Sequence, residues 1–281
     1  MQCITSILRS TPRLRFHGTL SWLKSASILA LLCYLPCAQA APVAGTDSIA
    51  PVSAELCKDM LQRHVLTKQA PVGCGRLSLV KFSYNDFDGQ LRDDGEIVVL
   101  DALAKHVLEI FQNLRAKRFP IAKVRLMNEY GGDDDASIDQ NNTSAFNFRK
   151  VTGGSSISPH GFGGAIDLNP IQNPYISKSA GKLHVSPKAG EEYVDRTKLR
   201  PGMAEEVVDV FFENGFTGWG GYWKNPTDYQ HFQVSSKLMN RILKLPLAEA
   251  EAVFEQYVQK LRACMRSGRK TELRRSCAEA E

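Results

Sequence analysis

The chain of 281 residues is 43% hydrophobic, with 35 Lys and Arg against 30 Asp and Glu, enough apolar material to bury one good-sized core or two small ones. That composition excludes a disordered, collagen-like or coiled-coil protein. Arg9, Arg13, Arg15 and Lys24 fall in residues 1–40, which hold no acid; the remainder is near neutral and lacks the cationic footprint of a nucleic-acid binder, so no such partner is expected.

Residues 1–40 read as an export signal, with a cationic start, a short apolar run over residues 25–36 and small residues at Ala38 and Ala40 at the spacing signal peptidase reads. The run falls short of the ~20 residues that cross a bilayer as a helix. No stable membrane anchor is therefore expected, and the mature chain is placed in the periplasm or outside the cell. Cys3, Cys33 and Cys37 leave with the signal, while Cys57, Cys74, Cys264 and Cys277 remain, an even set that suits an oxidising compartment. Their clustering suggests Cys57–Cys74 and Cys264–Cys277 bridges, although four cysteines permit three pairings. The absence of a C-x-x-C pair argues against a four-thiolate zinc site.

Residues 41–54 have the composition of a flexible leader, 55–245 read as one domain, and 246–281 as a C-terminal helix with a basic tail. Residues 54–67 form a plausible helix. Residues 77–87 alternate as a strand, with Val80, Phe82 and Tyr84 on one side and Lys81 and Ser83 on the other. Asp101 is positioned to cap a helix whose Leu103, Val107, Ile110, Phe111 and Leu114 share one stripe. A strand follows at residues 121–127, then a long Gly-, Asn-, Asp- and Ser-rich stretch of the kind that carries function. Residues 201–214 read as a helix with Met203, Val207, Val210 and Phe211 on its buried side and Gly215 as its stop. Helical segments follow from Ser236. The pattern implies an α+β domain with a small central antiparallel sheet flanked by helices; a monomer is expected, although the pattern does not give the oligomeric state.

The long stretch contains Ser-Pro-His160-Gly-Phe-Gly-Gly-Ala-Ile-Asp167-Leu, an imidazole and a carboxylate joined by a Gly-rich turn that lets both face one point. Further on, Asp228-Tyr-Gln-His231-Phe follows the aromatic run Trp219 to Trp223. His160, Asp167 and His231 meet the count of a catalytic zinc, three protein ligands with one position open to water. Asp228 is then left to move protons as general base and acid. On spacing alone Asp167 and Asp228 also suit turn caps, because H-x6-D has no unique chemistry. His64 and His106 read as ordinary helical residues, and His184 lies near the candidate site. Asp133, Asp134 and Asp135 read as a solvated acidic turn, without the ligand alternation of a calcium loop. Trp223 suits either a groove wall or core packing.

The run Asn142-Thr-Ser144-Ala-Phe-Asn-Phe-Arg149, the SPHGFGGAIDLNP block, and the WGGYW and DYQHF blocks together resemble the zinc D-alanyl-D-alanine carboxypeptidase family, over residues 124–233. That family includes carboxypeptidases, vancomycin-resistance dipeptidases and L-alanyl-D-glutamate endopeptidases of peptidoglycan. The resemblance implies Zn2+ held by His160, Asp167 and His231, with Asp228 as proton-transfer residue. It also implies that Arg149 polarises the scissile carbonyl or holds a substrate carboxylate, as a guanidinium fork can. The alternative for Arg149 is a salt bridge to an acid of the nearby loop. Ser144, Ser158 and Trp223 join Arg149 as candidate substrate contacts. The D-x-x-H setting lies nearer the endopeptidase branch than the carboxypeptidase E-x-W-H. The expected partner is the peptidoglycan stem peptide. Two other classes remain: a non-catalytic wall-binding module that keeps the metal, and an interaction protein whose structural zinc is closed by a fourth ligand, with His184 as the nearby candidate.

Overall fold

The computed structural model describes residues 47–151, 154–266, 274 and 276–278, which lie in the compact unit Pro42–Glu281. The expected export signal lies outside the described residues, as does most of the basic tail. In chain order the elements are β1 (Ser48–Pro51), α1 (Ala54–Gln62), β2 (Leu77–Asn85), β3 (Leu91–Leu100), α2 (Ala104–Ala116), β4 (Lys123–Val124), α3 (Asp134–Asp139), β5 (Asn142–Thr143), β6 (Ala165–Asp167), β7 (Tyr175–Ser179) and β8 (Lys182–Ser186). After these come α4 (Val208–Phe212), β9 (Gly218–Trp219), β10 (Thr227–Asp228), β11 (His231–Gln233), α5 (Ser236–Ile242) and α6 (Leu247–Met265), with short 3₁₀ turns between them.

Helix and strand are mixed, as an α+β chain requires, but the strands divide among several small sheets rather than one central sheet. Antiparallel sheets run β1-β2-β3, β10-β7-β8 and β6-β11-β9, and β4 pairs with β5 in parallel. Helix α2 lies on the first sheet, where Phe111 stacks on Phe82 with ring centroids 3.8 Å apart. All five apolar residues expected in its stripe are buried. Asp101 is not its cap: a 3₁₀ turn, Asp101–Leu103, precedes α2, and the Asp101 carboxylate accepts from Arg76 at 2.7 and 3.2 Å.

Several elements differ from the sequence reading for local reasons. Part of the expected leader is β1, held by Asp47, whose two carboxylate oxygens accept from Arg115 at 2.8 and 2.9 Å. Strand β3 had no counterpart, because residues 91–94 are polar or exposed and Ile97, Val98, Val99 and Leu100 are all buried, which removes the period-2 signal. Helix α1 ends early, before His64 at φ +61. The expected 201–214 helix is a 3₁₀ turn followed by α4, since Gly202 sits at φ +85, outside helical space. Only Lys123–Val124 of the expected 121–127 strand pairs with another strand.

Disulfides join Cys57 to Cys74 and Cys264 to Cys277, the pairs that clustering suggested. Among the described residues no helix is long and apolar enough to cross a membrane.

Candidate metal centre

The outer edge of β3 fastens two loops. Phe146 N–H donates to Val98 O at 3.1 Å, and Leu100 N–H donates to Gly163 O at 3.0 Å. Between them, Ser158 caps the 3₁₀ turn Pro159–Phe162, its hydroxyl accepting from His160 N–H at 3.4 Å. Gly163 leaves that turn at φ +70 and leads into β6. A Cβ on Gly163 would stand 2.4 Å from Leu100 N, a backbone atom that cannot step aside. Gly163→Ala is therefore expected to cost more than the about 1–2 kcal/mol of a left-handed alanine, and an unchanged urea midpoint would refute this account of the turn.

Strand β6 ends at Asp167, which lies opposite His231 of β11 in antiparallel register. The Gly163 turn and this cross-strand pairing bring His160, Asp167 and His231 to one point. One ligand atom from each lies within 4.8 Å of the others, and all three residues are buried. His160 Nε2 is 3.2 Å from His231 Nδ1. Asp167 Oδ2 is 3.0 Å from His160 Nε2, and Asp167 Oδ1 is 3.0 Å from His231 Nδ1. Two atoms bound to a tetrahedral ion at ~2.0–2.1 Å stand ~3.3 Å apart, so the spacing suits such an ion.

The outer partners support the same conclusion. His160 Nδ1–H donates to Ala145 O at 2.6 Å, and His231 Nε2–H donates to Gln233 Oε1 at 2.9 Å. With those protons committed, the neutral imidazoles turn lone pairs towards each other and towards a carboxylate. A cation satisfies three converging acceptors, and fixing the far nitrogen is how proteins set the tautomer of a metal-ligating His. Gln233→Ala is accordingly expected to weaken metal binding about 10- to 100-fold, read by competition with a chromophoric chelator.

Burial raises the Asp167 carboxyl pKa, but His160 and His231 beside it outweigh that and hold it well below the usual range. Asp228, paired across β10 and β7 with Tyr175, behaves in the opposite way. Burial, and next the charge of Asp167, push it up to about 7. The pKa values of two carboxylates in one site are thus driven apart.

A cavity of about 640 Å³ opens over these groups, its wall including Arg149, Ser158, His184, Trp223, Asp228 and Gln230. Arg149 lines the cavity and makes the salt bridge to an acid of the nearby loop. Its guanidinium is 3.0 Å from Asp134 and 3.9 Å from Asp167, and its Nε–H, sealed from solvent, has no hydrogen-bond partner among the described residues. Trp223 stands on the cavity wall 5.5 Å from the His231 ring and is 41% exposed, outside the packed core. Ser158 reaches the cavity while capping the His160 turn. Ser144 does not reach it: its backbone exchanges hydrogen bonds with Asp167 at 3.0 and 2.9 Å, so it orders the ligand strand rather than touching the cavity. His184 lies on the exposed strand β8, outside the converging group, and does not supply a fourth ligand.

Three contributors escaped the sequence reading. Asp134 does not sit in a solvated turn but pairs with Arg149. Gln233 was available from the alternation of a strand, since i+2 of His231 shares its face. The Ala145 carbonyl carries no residue-type signal.

Residues 152–234 match a family described as D-alanyl-D-alanine carboxypeptidase. The match covers less than a third of the chain and takes in His160, Asp167, Asp228 and His231, with Arg149 just ahead of it. The family resemblance is thus supported over that segment. No curated protein and no solved structure matches the chain.

Proposed function

We propose that this chain, which carries the D-alanyl-D-alanine carboxypeptidase signature over residues 152–234, is a zinc-dependent peptidase that hydrolyses a peptide bond in the stem of bacterial peptidoglycan. The observation that carries the reading is the convergence of His160, Asp167 and His231 on one point of a cavity that also holds Asp228. Zinc bound by those three residues supplies Lewis acidity and acidifies water towards a pKa of ~7. Asp228 accepts a proton from the attacking water and passes it to the leaving amine. The guanidinium of Arg149 polarises the scissile carbonyl or holds a substrate carboxylate, and Asp134 holds it in place. Ser158 keeps the His160 turn in register, and Trp223 walls the groove.

A periplasmic or extracellular setting brings the enzyme to its substrate and preserves the two disulfides. The enzyme acts there as a monomer on the peptidoglycan stem peptide. The test is mass spectrometry of purified muropeptides incubated with the mature protein, with and without a chelator. Chelator-sensitive loss of a terminal D-Ala identifies a carboxypeptidase, and a split after L-Ala identifies an endopeptidase. Unchanged masses from the zinc-loaded protein would overturn the hydrolase and leave a wall-binding module.

A further inference from the structure

Arg274 belongs to the basic tail that follows α6, and the Cys264–Cys277 disulfide ties that tail back to the helix. It is not a solvated cation. Its side chain is 12% exposed and bridges two separate elements. Nε–H donates to Asp209 Oδ1 of α4 at 2.8 Å, and Nη1–H donates to the Tyr222 hydroxyl at 2.7 Å. Helix α4 is a firm anchorage, because its Phe211 stacks on Phe232 of β11 with ring centroids 3.9 Å apart.

Tyr222 ends the 3₁₀ turn Gly220–Tyr222, and Trp223 follows it onto the cavity wall. The near end of this turn is locked. Trp219 pairs across β9 and β11 with Phe232 and donates Nε1–H to Tyr229 O at 2.9 Å. A Cβ on Gly220 would stand 2.3 Å from Asp228 O, and one on Gly221 would stand 2.4 Å from the Trp219 ring. The far end is held more lightly. Trp223 N–H donates to Gly220 O at 3.0 Å, and Trp223 O accepts from the Thr227 hydroxyl at 2.9 Å; both are backbone contacts, so the turn aims the indole. Tyr222 is 54% exposed. Its ring meets Trp219 edge-on at 4.9 Å, and its hydroxyl is the group Arg274 grips. An exposed turn with few buried contacts is the kind of segment that opens locally.

We propose that Arg274 is a positioning residue for the substrate groove: through Tyr222, the disulfide-tied tail fixes the 220–223 turn and with it the Trp223 wall. The inference rests on the peptidase reading above for what occupies the groove, the stem peptide. Gly220 packs on the Asp228 backbone independently of Arg274, so releasing Tyr222 moves Trp223 and leaves Asp228 in place. Substrate binding then weakens while proton transfer does not, which raises KM with little change in kcat.

The test compares zinc-loaded mature wild type with Arg274→Met, Tyr222→Phe and the double variant, on a pentapeptide stem ending in D-Ala-D-Ala that contains both candidate bonds. Each single variant is expected to raise KM about 3- to 10-fold, the worth of one hydrogen bond at a half-exposed hydroxyl, with kcat within about twofold. Tyr222→Phe should add nothing to Arg274→Met, because the two changes remove one link. Unchanged KM, additive losses, or a fall in kcat alone would overturn the proposal. Loss of zinc or of cooperative melting in Arg274→Met, with Tyr222→Phe like wild type, would make Arg274 a residue of the fold only.

A second readout needs no turnover. Beyond residue 40 the tryptophans are Trp219, which is buried, and Trp223, so acrylamide quenching reports chiefly on Trp223. Quenching should rise by up to about twofold in both single variants as the turn loosens, and unchanged quenching would overturn the proposal. If wild type cuts nothing, the calorimetric Kd of the same peptide takes the place of KM. Weaker binding by the variants then upholds the positioning role while the peptidase reading falls alone, and equal or absent binding overturns both.

Discussion

Asp228→Asn is expected to lower kcat on the stem peptide by about 10²- to 10⁴-fold, the contribution of a positioned proton-transfer group, with bound zinc undiminished. Asparagine keeps the shape of the side chain but neither takes nor returns a proton. Asp228 is not one of the three converging groups, so elemental analysis distinguishes the roles: a variant that loses its metal reassigns Asp228 as a ligand, and one with wild-type turnover removes it from the mechanism. The pH behaviour gives an independent check. Burial and the charge of Asp167 push this carboxyl up to about 7, above the unfolded value of ~3.9. The folded chain therefore retains the proton longer than the unfolded one. The stability this contributes is full below about pH 4 and is lost as pH rises through about 7. In protein stripped of metal, Asp228→Asn is expected to melt above wild type at pH 8, and the advantage should vanish at pH 4. A bound cation draws the carboxyl back down, so the acid limb of kcat/KM in the zinc enzyme lies below about pH 7 and is missing from the variant.

The candidate ligands were legible because local chemistry marks them. His160 and Asp167 are joined by a turn whose Gly163 must occupy φ +70, and Asp228 and His231 stand three apart in a short aromatic setting. Their convergence was not legible, since it depends on the antiparallel register that sets Asp167 opposite His231. Register comes from the hydrogen-bonded frame: β3 receives Phe146 and Gly163 on its outer edge, and β3 itself gave no alternation to read. The same holds for Ser144. Its place in a family block suggested substrate contact, whereas its contribution is a pair of backbone hydrogen bonds to Asp167. Asp134 was misread because three consecutive acids resemble a solvated face. Asp133 instead caps α3 by accepting from Ala136 N–H at 3.1 Å, and α3 then presents Asp134 to Arg149.

Asp167→Asn is expected to weaken zinc binding by more than the about 100-fold that losing an outer partner can cost, and to reduce turnover to background. The commitment of His160 Nδ1–H to Ala145 O and of His231 Nε2–H to Gln233 Oε1 leaves Nε2 and Nδ1, 3.2 Å apart, with lone pairs facing. Only a cation or a proton relieves that opposition, and Asp167 is the charge that attracts either. Burial opposes a charged His231, but the hydrogen bond and charge of Asp167 prevail and raise its pKa. Zinc held by these residues would thus compete with a proton for His231 Nδ1, and its binding would release that proton. Affinity should climb with pH until the proton is already gone. Titrations of stripped protein with zinc in two buffers of different ionisation enthalpy measure the release directly. Asp167→Asn removes the carboxylate on which both competitors depend, so it should abolish most of the pH dependence together with the affinity. Wild-type affinity in that variant would mean that the two imidazoles bind metal without Asp167, and the centre would need a different third ligand.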